Sequence, residues 1–467
     1  MPNLKPVFDR LAKDRDRYFR RHRYAYSNLL TFLNYAIPHN ASVIELGCGT
    51  GGIIGRLRNE KKTGIDFSEK MVERARVSNP GPTYLTLDIE HLAHDEKYDY
   101  ILLIDTINSL NDVQRAFNEI GEKLTHRRSR LIITYYNFLW EPLLKFARWI
   151  GLIIPLPNQS WFSHEDVATL LDLADFEVVT RGQRLLIPFY IPLVSWIANT
   201  YLAQLPLIRA LCVVQYIIAR PRLKERREYS VSIIIAARNE AGNIERALKT
   251  IPRFGTAQEI IFVEGGSTDN TWETLQEMAK KYEHQWKIVV LKQPGKGLAN
   301  AYHTALPRAS NELIMILNGD LTVDPSDLPK FYEAFAEGKG DFINGSRMVY
   351  PMEKRAMPIA NMIANKGFGM VFSWLLGQRL KDTLCGTKVF LRADWERMEE
   401  ARVYFGDFDP FGDFEFLFGA SKLNLRIIDL PIRYHERTYG STNILRWRFG
   451  VLLSRMCIFA ARKMKFI

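Results

Sequence analysis

Residues 42–52 read Ser-Val-Ile-Glu-Leu-Gly-Cys-Gly-Thr-Gly-Gly. A short apolar run, Val43 to Leu46, breaks into glycines at Gly47, Gly49 and Gly51, and the following IIGRLRN (53–59) can take up helix. Strand, tight loop and helix in that order make half of a nucleotide site, because positions without side chains let backbone amides approach a ligand closely. Working outward, candidate strands fall at Lys62–Ile65, Thr83–Leu87, Tyr100–Ile104 and Arg130–Thr134, separated by helix-like sequence such as SEKMVERARV (68–77). That alternation predicts a doubly wound parallel sheet. Ahead of it, residues 8–36 read as helices rich in Arg and Tyr.

The chain has 467 residues, against roughly 100–200 for one domain, so two or three domains are expected. A hydrophobic fraction of 47% with 25% charged residues excludes a mainly disordered chain. The charged bridge RPRLKERREYS (220–230) separates the first pattern from a second, which begins at VSIIIAARNE (231–240). Further strands are predicted at Ser232–Ala236, Glu259–Glu264, Lys287–Lys292 and Leu313–Asn318. The fold class expected is therefore α/β with two domains, residues 1–220 and 231–443, each a mainly parallel doubly wound sheet, joined by a linker at 221–230.

Lys and Arg number 63 against 52 Asp and Glu, a net charge of +11 that favours polyanionic partners such as anionic lipid or phosphorylated substrates. Nucleic acid ranks low, since the basic residues are scattered and terminal with no recognition module. The four cysteines, 48, 212, 385 and 457, show no CxxC spacing, so free reduced thiols are expected. The N-terminal stretch lacks the apolar core of a secretory signal, which with the thiols predicts a cytoplasmic protein.

Between Arg184 and Arg209 lies an uncharged run of 24 residues, LLIPFYIPLVSWIANTYLAQLPLI. Its length would suffice for a crossing at roughly 20 residues. Pro188, Pro192 and Pro206 would interrupt a straight helix, however, so this insert at 185–208 is expected to dip into a membrane interface and return. A core helical hairpin is the plainer alternative. Residues 444–467 carry six Lys or Arg, no acid, and interleaved Trp, Phe and Leu, which suits a basic amphipathic helix lying on an anionic membrane. Peripheral membrane association is the combined expectation.

Asp66 follows the first glycine loop by about 20 residues at the next strand end, where a carboxylate can accept both hydroxyls of a ribose. Asp88 occupies the matching spot after the third strand, and Asp105 follows the fourth. The loop Glu45–Gly51, with Asp66 and Asp88, resembles class I S-adenosylmethionine-dependent methyltransferases over roughly residues 20–220. The resemblance implies S-adenosylmethionine as cofactor, with Glu45, Gly47, Gly49, Gly51, Asp66 and Asp88 binding it. No residue declares itself as base for the methyl acceptor.

The second half carries ARNEAGNI (237–244), VEGGSTDNT (263–271), QPGKGLANAYHTAL (293–306), ILNGDLTVDP (316–325), GSRMV (345–349), DTLCGTKVF (382–390), FGDFEFLFG (411–419) and PIRYHERTYGSTNI (431–444). In this order they resemble inverting family 2 glycosyltransferases of GT-A fold, particularly polyprenyl-phosphate hexosyltransferases such as dolichol-phosphate mannose synthase. The resemblance implies a nucleotide-sugar donor. Asn239, Glu240 and Glu264 would then contact base and ribose, Lys296 the phosphates, and Asp320 a divalent cation, Mg2+ or Mn2+. Asn318 stands where the family has the first carboxylate of Asp-x-Asp, and Gly265 replaces a second carboxylate often seen there.

Departure of a diphosphate needs charge neutralisation by a cation and basic groups. A hydroxyl acceptor would also need a base, for which Asp413 or Glu415 could serve. A lipid phosphate is already ionised and needs only cations to hold it in line. Arg347 and Arg437 match family positions that bind phosphates, and Asp382 is a candidate metal or substrate ligand or, more plainly, a helix cap. The family's Arg-x-x-Gly-x-Ser-Lys ending reads Arg437, Gly440, Thr442, Asn443 here.

The reading that follows is a bifunctional enzyme. An inverting hexosyltransferase acting on a polyprenyl phosphate is fused to a methyltransferase domain, in cell-envelope glycan or glycolipid assembly. Alternatives are transfer to a glycan or glycolipid hydroxyl, and a non-catalytic nucleotide-sugar-binding scaffold.

Overall fold

A computed structural model describes residues 5–152, 160–351, 359–405, 412–437, 439 and 446–466. Two compact units are present, divided between Arg222 and Leu223. In the first, the strands are β1 (Val43–Leu46), β2 (Lys62–Asp66), β3 (Thr83–Thr86), β4 (Tyr100–Ile104), β5 (Arg130–Tyr136), β6 (Phe176–Arg184) and β7 (Val214–Pro221). They form one sheet in the order β3-β2-β1-β4-β5-β7-β6. β3 through β5 are parallel, and β7 pairs antiparallel with both β5 and β6. Ile44 and Leu46 face one core while Val43 and Leu102 face another, so both sheet faces are covered, as continuous apolar strands require. Strand order reverses between β1 and β4, which opens a crevice at their carboxyl ends.

The second unit contains β8 (Val231–Ala237), β9 (Gln258–Glu264), β10 (Lys287–Lys292), β11 (Leu313–Asn318), β12 (Phe342–Ser346), β13 (Lys388–Leu391) and β14 (Ile427–Pro431). Their order is β10-β9-β8-β11-β13-β12-β14. β10, β9, β8 and β11 run parallel, β13 is antiparallel to β11 and β12, and β14 is parallel to β12. Both units are thus mixed, mostly parallel α/β sheets, in line with the expected class.

Two expectations need correction. Residues 53–59 form no α-helix but a single 3-10 turn, Ile54–Arg56, because Gly55 weakens helix there and the chain must re-enter the sheet at Lys62. The stretch 221–230 is not a free linker. Pro221 ends β7, Tyr229 is fully buried, its N–H donates to Tyr332 Oη at 3.0 Å, and Arg227 N donates to Ala336 O at 3.1 Å. In keeping with its prolines, the apolar run at 185–208 is not one straight helix. Its longest helix is Val194–Thr200, and no helix among the described residues is long and apolar enough to cross a membrane. All four cysteines are free and buried, as expected.

The helix Arg446–Ala460 buries Leu453, Met456, Cys457 and Ala460 and exposes Val451 and Ile458. It packs against the helix Ile359–Leu376, which exposes Ile363 and Met370. One face is therefore in the core, and apolar side chains remain on the other.

Candidate cofactor and donor sites

In the first unit, Gly47, Gly49 and Gly51 take φ of 76°, 53° and 74°, the left-handed region that glycine adopts without strain. Gly47 N and Cys48 N donate to Ile65 O at 2.8 and 2.9 Å, pinning the loop over the end of β2. A side chain on Gly51 would collide with the Tyr84 hydroxyl, and one on Gly47 with Thr106. Asp66 holds the loop from below, its Oδ2 accepting from Gly49 N at 2.8 Å and its Oδ1 from Ser68 N at 2.9 Å. Glu45 Oε2 accepts from Ile54 N at 2.8 Å. Burial pushes the Asp66 carboxyl upward and Glu45 up to about 8. Asp88 caps its own turn, accepting from Glu90 N at 2.9 Å, and is largely exposed.

The structure adds residues that motif reading missed. Thr134 Oγ1 donates to Asp105 Oδ1 at 3.1 Å, and Tyr136, the last residue of β5, also hydrogen-bonds that carboxylate. Arg15, on the helix Lys5–Arg21, faces Tyr26, Tyr136, Asp105 and Asp66, which together, Tyr26 first, raise its pKa against the downward push of burial. Asp16 ties the same helix to Arg74 at 2.7 Å and to Ser78 at 3.1 Å. The only sequence signal was the Arg- and Tyr-rich character of residues 8–36. A Cβ on Gly49 would point toward Arg15 Nε, 3.6 Å away, so a cradle lies between glycine backbone and cation. Carboxylates for hydroxyls and a cation for a carboxylate make a donor set that fits an adenosyl amino acid.

In the second unit the parallel strands deliver the predicted residues to one carboxyl edge: Glu264 registers with Ala237, and Asn318 with Ala236. Asn239 takes φ of 57° at the turn after β8, and its Oδ1 accepts from Thr268 N at 2.8 Å, which ties the two loops together. Asn243 Nδ2 donates to Glu240 Oε2 at 2.6 Å, and burial carries Glu240 up to about 7. Glu264 Oε1 accepts from Ser267 N at 2.5 Å. Among the described residues, its Oε2 and Asn318 Oδ1 are buried without a hydrogen-bond partner. Such oxygens call for a ligand donor or a cation. A side chain on Gly386 would overlap the Asn318 amide, so the DTLCG loop packs directly on it.

Asp320 accepts from Thr322 Oγ1 at 2.8 Å through Oδ1 and from Arg437 Nη2 at 2.6 Å through Oδ2, while Arg437 Nη1 stands 3.6 Å from Glu240. Arg437 therefore bridges the ends of β8 and β11. Oxygen atoms of Asp320 and Asn318 are of the hard type that Mg2+ or Mn2+ takes, so these residues fit such a cation if Arg437 yields one oxygen. Lys296 is exposed in the loop before the helix Leu298–Ala305.

The remaining predicted residues are placed differently from expectation. Asp382 is fully buried and saturated. It meets Arg347 Nε at 2.7 Å, Arg347 Nη2 at 2.8 Å, Arg347 N at 3.0 Å and Asn365 Nδ2 at 2.8 Å. Arg347 and its neighbours hold this carboxyl down, to about 2, against the upward push of burial. Its geometry is that of an anchor for Arg347, not of a metal ligand or a helix cap. Asp413 is buried with its Oδ1 2.9 Å from Lys388 Nζ, and Glu415 Oε2 lies 3.0 Å from His303 Nε2. Gly440, Thr442 and Asn443 lie outside the described residues.

Residues 232–398 match the family described as Glycosyl transferase family 2, and residues 37–162 match one described as Methyltransferase domain. Dolichol-phosphate mannosyltransferase of Pyrococcus furiosus is 33% identical over 143 residues, 30% of this chain and 40% of that protein. A low-salt glycan biosynthesis hexosyltransferase of Haloferax volcanii is 26% identical over 219 residues, 46% of this chain and 50% of that protein. The chain thus spans half or less of the length of these two relatives. A solved S-adenosylmethionine-dependent methyltransferase of Thermotoga maritima, titled a possible histamine N-methyltransferase, aligns with 24% identity and a TM-score of 0.37, over 47% of this chain and 99% of that one.

Proposed function

Because the chain joins a methyltransferase domain to a family 2 glycosyltransferase domain, we propose that it transfers a hexose, with inversion, from a nucleotide sugar to a polyprenyl phosphate, and that its first unit uses S-adenosylmethionine to methylate a component of the same cell-envelope glycan or glycolipid. The observation that carries the first half is Arg437, the cation of the acceptor motif, lying 2.6 Å from Asp320 and 3.6 Å from Glu240. A phosphate drawn to that guanidinium arrives beside the group that faces the donor diphosphate. It is already a nucleophile, and holding it in line is the main catalytic task. The burial of Asp413 against Lys388 weighs against that residue as the base a hydroxyl acceptor would need.

In this reading Asn239, Glu240 and Glu264 bind base and ribose, Lys296 neutralises phosphate, and Asp320 with Asn318 would hold a divalent cation. That cation would stabilise charge on the leaving diphosphate. Arg347, fixed by Asp382, presents a preset guanidinium to a second phosphate oxygen. In the first unit, Asp66 would accept ribose hydroxyls and Arg15 the cofactor's carboxylate, while Tyr136 and Asp105 would take the proton that the methyl acceptor loses. Apolar side chains left exposed on the helices Ile359–Leu376 and Arg446–Ala460 suit peripheral attachment to the membrane that holds the lipid phosphate.

The test is incubation of the full chain with labelled nucleotide hexoses and either polyprenyl phosphate or an oligosaccharide. Label extracted into organic solvent only with polyprenyl phosphate is the result expected. Label on the oligosaccharide alone would move the acceptor to a hydroxyl, and none with either would leave a binding scaffold.

A further inference from the structure

The first unit concentrates exposed apolar side chains at one place. After β6 the chain leaves the sheet at Leu185 and returns at Val214, and this excursion turns Leu193, Trp196 and Leu207 outward at 73%, 54% and 89% exposure. The helix Glu141–Trp149 does the same with Phe146, 54%, and Trp149, 81%. These two segments are tied together. Asn137 Nδ2 donates to Ala210 O and Cys212 O, both at 2.9 Å, and Trp140 Nε1 donates to Leu211 O at 2.9 Å. The two segments are therefore joined where they leave the sheet, and a monomer rarely leaves a surface with so many exposed apolar side chains unpartnered.

Its chemistry selects the partner. Residues 185–213 contain no Asp or Glu and one Arg, Arg209, which is exposed. Across the helix, Lys145 and Arg148 outnumber the single acid, Glu141, which is paired with Lys145 at 2.7 Å. Tryptophan and leucine within a cationic rim match the interface of an anionic bilayer, where indole rings sit at headgroup depth and basic groups meet phosphate. A protein partner would call for hydrogen-bond complements that this face hardly offers.

Position links the face to the chemistry. Tyr136 hydrogen-bonds Asp105, and the very next residue, Asn137, is the anchor of the apolar excursion. All of this lies at the carboxyl edge that carries Gly47, Gly49 and Gly51. A cavity of about 20 Å³, lined by Leu29, Phe32, Leu185 and Val214 but also by Asn28, Thr134, Arg184 and Tyr216, adjoins both, with Thr134 bonded to Asp105 and Leu185 opening the excursion. We propose that this face seats the methyltransferase unit on an anionic lipid bilayer, and that its methyl acceptor is a lipid-borne hydroxyl or amine entering from the membrane. This rests on the cofactor reading above. The acceptor's lone pair forms the new bond to the methyl carbon, the sulfur–carbon pair stays on sulfur as a thioether, and the acceptor's proton leaves through Tyr136 or Asp105 to water.

The test uses the full chain carrying Leu207→Cys or Trp149→Cys, labelled with an environment-sensitive fluorophore, the native cysteines being buried. Val77→Cys, 82% exposed elsewhere on the unit, is the control. Vesicles of 30% phosphatidylglycerol in phosphatidylcholine should shift emission to the blue at 207 and 149 and leave 77 unchanged, and methyl label from S-adenosylmethionine should enter the organic extract of the cells' membranes. No shift at 207 or 149, a concentration-dependent shift without vesicles (a second copy as the occupant), or label confined to the aqueous phase would each overturn the proposal. Calorimetry with S-adenosylmethionine separates the failures: absent heat sinks the cofactor reading, whereas normal heat without the shift sinks only the membrane one.

Discussion

Arg437 Nη2 lies 2.6 Å from Asp320 Oδ2, so a guanidinium already occupies one oxygen of the carboxylate proposed to meet the donor diphosphate. With Asn318 in place of a first carboxylate, the edge of β11 holds one negative charge where the related pattern has two. On the proposed reading a divalent cation would have to share Asp320 with Arg437, and that sharing would couple the binding of metal, donor and acceptor phosphate.

From that sharing, nucleoside diphosphate with Mn2+ should raise the melting temperature more than either alone, since ligands that bind the native state stabilise it. Asp320→Ala should abolish the Mn2+ increment and lower transfer by about 10²–10³-fold, the range for loss of one preorganised electrostatic contact. A metal increment that survives Asp320→Ala would place the cation elsewhere.

Asp382 and Arg347 form a buried two-pronged pair. Asp382→Ala should destabilise the protein by about 3–5 kcal/mol because an uncompensated guanidinium is left in the interior. The double change Asp382→Ala with Arg347→Met should recover part of that loss in urea titrations. An additive double variant would show that the two side chains do not interact.

Burial raises Glu240 from 4.5 to about 7. Between those values the folded chain holds a proton that the unfolded chain has lost, so this group's contribution makes stability fall as pH rises from about 4.5 to about 7. Glu240→Gln should flatten the melting temperature across that window. An identical pH profile in wild type and variant would contradict the placement of Glu240.

Gly51 takes φ of 74° with the Tyr84 hydroxyl against its α-carbon. Gly51→Ala should distort the loop and remove the calorimetric heat of S-adenosylmethionine, as should Asp66→Ala, while far-ultraviolet circular dichroism stays native. Unchanged heat in both variants would exclude this loop as the cofactor site.

Much of this was legible in the sequence. Strands such as Tyr100–Ile104 and Leu313–Asn318 are buried apolar runs bounded by loops, and they announce themselves. β6 and β7 did not, because they are separated by the apolar excursion and pair antiparallel at the edge of an otherwise parallel sheet. The glycine loop and Asp66 were readable from spacing, whereas Arg15, which approaches from a helix some 30 residues earlier, was not. Asp413 and Asp382 looked available in one dimension. Only packing shows that Lys388 and Arg347 take them up.

The most direct measurement is hexose transfer to polyprenyl phosphate by Arg437→Gln, followed together with nucleoside diphosphate binding by thermal shift. The account predicts transfer reduced by about 10²-fold or more, as for other lost transition-state contacts, a raised KM for the lipid phosphate, and nucleotide binding kept. Transfer at the wild-type rate would contradict it.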